Sequence, residues 1–346
     1  MSKTKSKSGD PVAEAYHGLA ASLFDKAAAA CDRLGKEDDE ALHDFRVALR
    51  RLRTHLETHR DHLGKRRANK LRKRLSALVS ATNLSRDYEV QRDWIERQIR
   101  SDTVSPSQRE GLGLILTEFC RNGENGANRT DLAPIRKHFA EIGERFRKRR
   151  WSVPERGGSR DAPPRSISGV TQAALREHAA KLREQLNEID SVDSVRATHR
   201  ARLAVKRLRY ILEPLSKAIP DARDVIVELK AMQDTLGALR DLQILQMQIA
   251  LAAGFGSRVG ELSADESPAF EPMATPTPSP SSPSSQNPVL EDQARKTLEA
   301  GLDYMRFEAQ REFDGLRERW LDGRAESLVQ RIEHIADALQ PSRATQ

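Results

Sequence analysis

Apolar residues recur every three to four positions along most of the chain, the spacing of helices buried along one face. The first such run opens at Pro11, passes Leu19 and Leu23, and reaches Leu34, where Gly35 supplies a stop. Similar runs predict helices over residues 38–63, ended by Gly64, and 65–97. A fourth begins after Pro106, breaks in the Gly/Asn-rich stretch 122–128 and resumes over 134–151. Beyond a Gly/Pro-rich connection at 154–169 the same order returns, with helices expected at 170–189, 192–218, 221–253 and 289–339. No alternating apolar–polar run long enough for a convincing strand occurs. The pattern therefore predicts an all-α fold of two four-helix bundles, one from residues 11–153 and one from 170–340.

Two segments fall outside this scheme. Residues 263–288 carry Pro268, Pro272, Pro276, Pro278, Pro280, Pro283 and Pro288 among Ser and Thr, a composition that cannot build a packed core and reads as a disordered insertion. Residues 1–10 are basic but lack the apolar stretch of a signal peptide, and read as a disordered tail.

Composition adds detail. Aromatic residues make up only 5% and charged residues 32%, so most helices must be solvated on one face and packed on the other. Cys31 and Cys120 have no framework spacing and are expected to be reduced and buried, in keeping with a cytoplasmic setting. No apolar run is long enough to span a bilayer. Charge changes the picture more. Residues 41–74 carry twelve Arg/Lys against Asp44, Glu57 and Asp61, a balance of +9, and residues 195–217 carry seven against Glu213, a balance of +6. The remainder of the +7 chain is thus net −8. Positive charge gathered in two places points to a polyanionic partner.

Those two places repeat each other. His43, Arg46, Arg50, Arg51 and Arg53 align without gaps on His199, Arg202, Lys206, Arg207 and Arg209, at an offset of 156 residues. Downstream, Arg86 and Asp87 align on Arg240 and Asp241 at an offset of 154. A duplicated charge spacing is not explained by helix propensity and indicates an internal duplication. With His43 at zero on a helical wheel, Arg46, Arg50 and Arg53 fall at roughly −60°, −20° and −80°, one contiguous stripe. The core positions Leu42, Phe45, Leu49, Leu52 and Leu56 centre near about 220°, so the stripe borders the packed face. Like charges four residues apart cost an isolated helix roughly 0.2–0.5 kcal/mol per pair. A bound polyanion reverses that sign, and the guanidinium fork matches phosphate oxygens.

The H-x-x-R-x-x-x-[RK]-R-x-R helix, followed by a helix ending in L-G-x-x-R-D, resembles the CHAD family, the helical domain named for its histidines. The likeness covers nearly the whole chain outside the tail and the Pro/Ser insertion. It implies two four-helix bundles related by a pseudo-twofold axis around a basic central groove or pore. It further implies binding of inorganic polyphosphate without catalysis, and association with polyphosphate granules. Carried over by position, the ligand-facing set is His43, Arg46, Arg50, Arg51, Arg53, His199, Arg202, Lys206, Arg207 and Arg209. Lys230, ten residues before Arg240, joins it; its counterpart is Ser76, leaving Lys70, Lys73 or Arg74 for that role in the first half. The second copy keeps Leu236-Gly237, whereas the first has Thr82-Asn83. Arg86–Asp87 and Arg240–Asp241 read first as structural ion pairs, with phosphate ligation as the alternative.

Other chemistry finds less support. His55, His59 and His62 share a helix face but lack a completing carboxylate or thiolate, so a polar outer face is expected and no metal. The glycines at 254, 256 and 260 follow a helix and mark its end. No Walker loop, H-E-x-x-H or nucleophile elbow occurs, and no cofactor is implied. The competing reading is a nucleic-acid-binding or chromatin-associated helical protein, which a pI near 9.5 permits. Scattered tryptophans and few base-reading side chains argue against it.

Overall fold

A computed structural model describes residues 11–36, 38, 40–61, 63–125, 132–148, 167–216, 218–252 and 288–339. The expected N-terminal tail, His62, most of the 154–169 connection and nearly all of the Pro/Ser insertion lie outside the described residues, as do the side chains of Arg86 and Asp87. Among the described residues there are eleven α-helices and no strand. The first six are α1 (Pro11–Arg33), α2 (Glu40–Thr58), α3 (Lys65–Ala81), α4 (Asn83–Ile99), α5 (Pro106–Asn125) and α6 (Leu132–Lys148). Five follow: α7 (Ile167–Asn187), α8 (Val195–Leu212), α9 (Pro220–Ala252), α10 (Pro288–Leu316) and α11 (Arg324–Ala338). None of them is long and apolar enough to cross a membrane.

The glycine stops lie where the sequence puts them. Gly35 after α1 and Gly64 before α3 have φ of 79° and 82°, the left-handed region that a Cβ disfavours. Two expected single helices are broken. The 65–97 helix divides at Thr82, whose backbone N–H and hydroxyl both return to the Val79 carbonyl, at 3.1 and 2.8 Å. That local bonding competes with the next helical turn. The last helix passes through a π turn, Arg317–Leu321, and restarts after Gly323, at φ 111°.

The packing forms three cores rather than two. In the first, α1, α2, α3 and α6 close around Phe24, Phe45, Leu49, Leu52 and Leu75. Phe139 stacks on Phe24 at 4.9 Å and meets Phe45 edge-on at 5.2 Å. In the second, α7, α8, α9 and α11 bury Leu182, Val205, Leu208, Leu229 and Ile332, with Phe313 and Leu316 of α10. The third joins the halves: Ile95, Leu112 and Ile115 of α4 and α5 pack on Leu245, Leu302 and Met305 of α9 and α10. At this junction α5 and α10 cross at glycines. A Cβ on Gly111 would lie 2.3 Å from the Thr297 carbonyl oxygen, and one on Gly301 2.7 Å from the Gly111 carbonyl carbon. Only two bare backbones fit at that spacing. Both cysteines are free, Cys31 buried and Cys120 half-buried.

Candidate functional site

Helices α2 and α8, the carriers of the two basic stripes, pack against each other. Their contact is reciprocal. Arg51 holds Glu213 through an ion-pair contact, Nε–Oε2 at 2.6 Å, and a hydrogen bond that Nη2 donates to Oε1 at 3.0 Å. Arg207 in turn faces Glu57 at 3.6 Å. Arg51 and Arg207 are equivalents at the 156-residue offset, and so are Glu57 and Glu213. Each carboxylate also has an arginine four residues before it, Glu57 within α2 and Glu213 directly after the end of α8. Arg209 Nε lies 3.6 Å from Glu213, and Glu57 stabilises the charge of Arg53. Tyr210 carries the Arg209 guanidinium over its ring at 5.0 Å and the Arg51 guanidinium at 6.0 Å.

Arg51 and Arg207 were expected to face a ligand. Instead they tie α2 to α8, because at about 100° per residue Arg51 falls near +80°, away from the stripe and toward the facing helix. The rest of the stripes converge. Burial pushes Lys206 down to about 6, assisted by Arg202 and by Arg50 from the other half, against a counter-effect from Asp241. Burial likewise lowers His199 to about 4, with Arg240, Arg202 and Lys206 adding repulsion. Arg53 is lowered by burial and then by Arg72, with Arg50 and Arg207 contributing. The Nε atoms of Arg53, Arg72 and Arg202 and Nδ1 of His199 are buried with no hydrogen-bond partner. Buried polar nitrogens without partners are costly, and an anion would supply acceptors to the guanidinium groups among them.

The two copies seat their first arginine differently. Arg46, 6% exposed, donates from Nη1 to the Thr82 carbonyl at 2.7 Å. Arg202 lies over Gly237, where a Cβ would come within 3.2 Å of its Nε. Gly237 thus clears the space that the guanidinium occupies. Arg240 and Asp241 act on His199 and Lys206 respectively, which fits an orienting role.

The other predicted residues are placed as follows. His43 is exposed, whereas His199 at the equivalent position of α8 is half-buried. Lys70 and Lys230 are exposed and Arg74 is half-buried; the α3 residue acting on the stripe is Arg72. His55 and His59 are buried with ring centroids 4.6 Å apart, not on a polar outer face, because α2 has neighbours in α1, α3, α7 and α8. Among the described residues no group of three His, Cys, Asp or Glu is placed to hold a metal. Glu57, Glu213, Arg72 and His178 were missed. The glutamates had a signal, since the 156-residue alignment continues ungapped to them. His178 of α7 had none; its pKa is lowered by burial and then by Arg207, which places it beside the contact of α2 with α8.

Two solved structures share the fold. The CHAD domain from the plant Ricinus communis has a TM-score of 0.55 at 17% identity, covering 89% of this chain and 90% of that one. PptA from Streptomyces chartreusis has a TM-score of 0.52 at 15% identity, covering 93% of this chain and 100% of that one. None of the curated proteins matches. The sequence pattern described as the CHAD domain matches residues 18–250, two thirds of the chain, and with the duplicated basic helices on the page the conclusion is plain: this chain belongs to the CHAD domain family.

Proposed function

We propose that the chain binds inorganic polyphosphate, without transforming it, in a basic groove where α2 and α8 meet as pseudo-twofold equivalents of a duplicated unit. One observation carries this reading. Arg53, Arg72, Arg202 and His199 hold buried nitrogens without acceptors around the Arg50–Lys206 neighbourhood, and a chain of phosphates supplies acceptors and negative charge together. The reciprocal ion pairs between equivalent residues support the twofold relation.

Polyphosphate suits this cleft better than nucleic acid. It has no sugars or bases to accommodate, whereas a duplex presents its phosphates across grooves about 12 Å and 6 Å wide. The test is titration of the purified protein with long-chain polyphosphate and with duplex DNA at matched phosphate concentration and about 0.15 M salt. Polyphosphate is expected to displace DNA. DNA binding as tight as polyphosphate, or displacement in the reverse direction, overturns the reading in favour of a nucleic-acid partner.

A further inference from the structure

Resting on the polyphosphate reading, we infer that Glu57 and Glu213 determine the specificity of this site: they occupy its anion positions in the free chain, and only a polyanion long enough to displace both binds tightly. Each glutamate stands between a helix-tying arginine of the other half and a stripe arginine four residues before it, Arg53 or Arg209, and holds positive charge that a phosphate could take over. Glu213 is held by Arg51 of the facing helix and approached by Arg209. Glu57 is faced by Arg207 across the contact and acts on Arg53 of its own helix. The two arrangements are the same arrangement, related by the 156-residue offset. At about 1.5 Å per residue, Arg51 and Glu57 mark its two ends about 9 Å apart along α2.

The carboxylates are placed to be exchanged. Glu57 keeps 39% and Glu213 24% of the side chain in contact with solvent, so either can swing out on its rotatable bonds when another anion takes its arginines. A tethered carboxylate competes at high effective concentration, and a short anion that takes one arginine pair leaves the other closed. A long chain that has opened one end meets the second as an intramolecular step. The glutamates therefore raise the chain length at which binding becomes tight. They lower affinity for every phosphate ligand, and only a chain long enough to collect the contacts of both ends offsets the loss, which is selection by competition. The two ends are unequal. Arg51 meets Glu213 in one hydrogen bond and a 2.6 Å ion-pair contact, whereas Arg207 stands 3.6 Å from Glu57, so Glu213 is the stronger competitor.

The experiment measures affinity for tripolyphosphate and for long-chain polyphosphate, by calorimetry at fixed salt and pH, in the wild type, Glu57→Gln, Glu213→Gln and the double variant. Tripolyphosphate affinity is expected to rise at least tenfold in the double variant and long-chain affinity by at least as much, so that the short ligand, weak on the wild type, binds tightly once both carboxylates are gone. Glu213→Gln should account for most of the change. Glu213→Asp, which keeps the charge, should keep tripolyphosphate binding weak. Thermal melts followed by circular dichroism separate site effects from unfolding; if the double variant does not fold, the single variants decide. Unchanged affinity for tripolyphosphate, or loss of affinity for both ligands alike in folded variants, means that the glutamates only brace α2 against α8, and overturns the inference while leaving polyphosphate binding intact. A wild type that binds no long-chain polyphosphate overturns both.

Discussion

The basic stripes of α2 and α8 carry nearly the same residues at the same spacing, yet they stand in different surroundings. On α2, His43 is exposed and Arg46 is spent on the carbonyl that the helix break at Thr82 leaves free. On α8, His199 is half-buried, Arg202 keeps a buried nitrogen without an acceptor, and Lys206 stands where α2 has Arg50. The difference traces to one step of sequence. Thr82-Asn83 ends a helix, whereas Leu236-Gly237 lies within the unbroken α9 and opens space instead. Equal charge patterns thus yield one half whose first arginine braces the fold and another whose first arginine keeps a buried nitrogen without a partner.

The largest expected effect separates these roles. Arg46→Ala leaves the buried Thr82 carbonyl without its charged donor and should cost about 1.5–3 kcal/mol of folding stability. Arg202→Ala removes a guanidinium with an unpartnered buried nitrogen and should cost much less stability while weakening polyphosphate binding more. Denaturant unfolding of both variants checks this; equal losses would show that the two halves are seated alike.

The second expectation concerns pH. Lys206 at about 6 lies below its ordinary 10.5, and His199 at about 4 below its ordinary 6.5. Both are bases depressed in the fold. Their contribution to stability is therefore fullest above the ordinary values and is lost as pH falls toward about 6 and about 4 respectively. A bound polyanion raises both values, so binding takes up protons and affinity strengthens as pH falls through each bound-state value toward the free one. Each proton taken up is worth at most about tenfold in affinity per pH unit. Lys206→Arg should flatten the dependence above about pH 6, and His199→Gln the part between about 4 and 6.5. His43→Gln should leave the profile as it is. A changed profile in that variant would mean that exposed His43 reaches the ligand after all.

The smallest effect tests Gly237. An alanine there brings a methyl within 3.2 Å of Arg202 Nε, and the flexible guanidinium can yield. The expected loss is about 1 kcal/mol of binding, roughly fivefold, with stability little changed. Full retention of binding would remove Gly237 from the account of why the second half is the more open one.

Much of this molecule was legible in the chain. Helix ends at Gly35 and Gly64, the absence of strands among the described residues and the position of both stripes follow from spacing and local chemistry. The break at Thr82 was less legible, because threonine bonding back to Val79 is one local option among several. Arg51 shows the limit for the site. Its place in the motif suggested a ligand contact, but its partner Glu213 is 162 residues away.

What the sequence determined by itself is therefore periodic and local: eight of the helical runs, the core positions along α2, and two stripes of equal charge at an offset of 156 residues. Only the tertiary structure decided that α4 and α5 join α9 and α10 across glycines, that Glu57 and Glu213 close the arginines of the opposite half, and that His199 and Lys206 are half-buried while His43 is exposed. The physical reason is range. Helical periodicity is set by neighbours three and four residues away, whereas burial and charge pairing depend on which helix arrives from the other half of the chain.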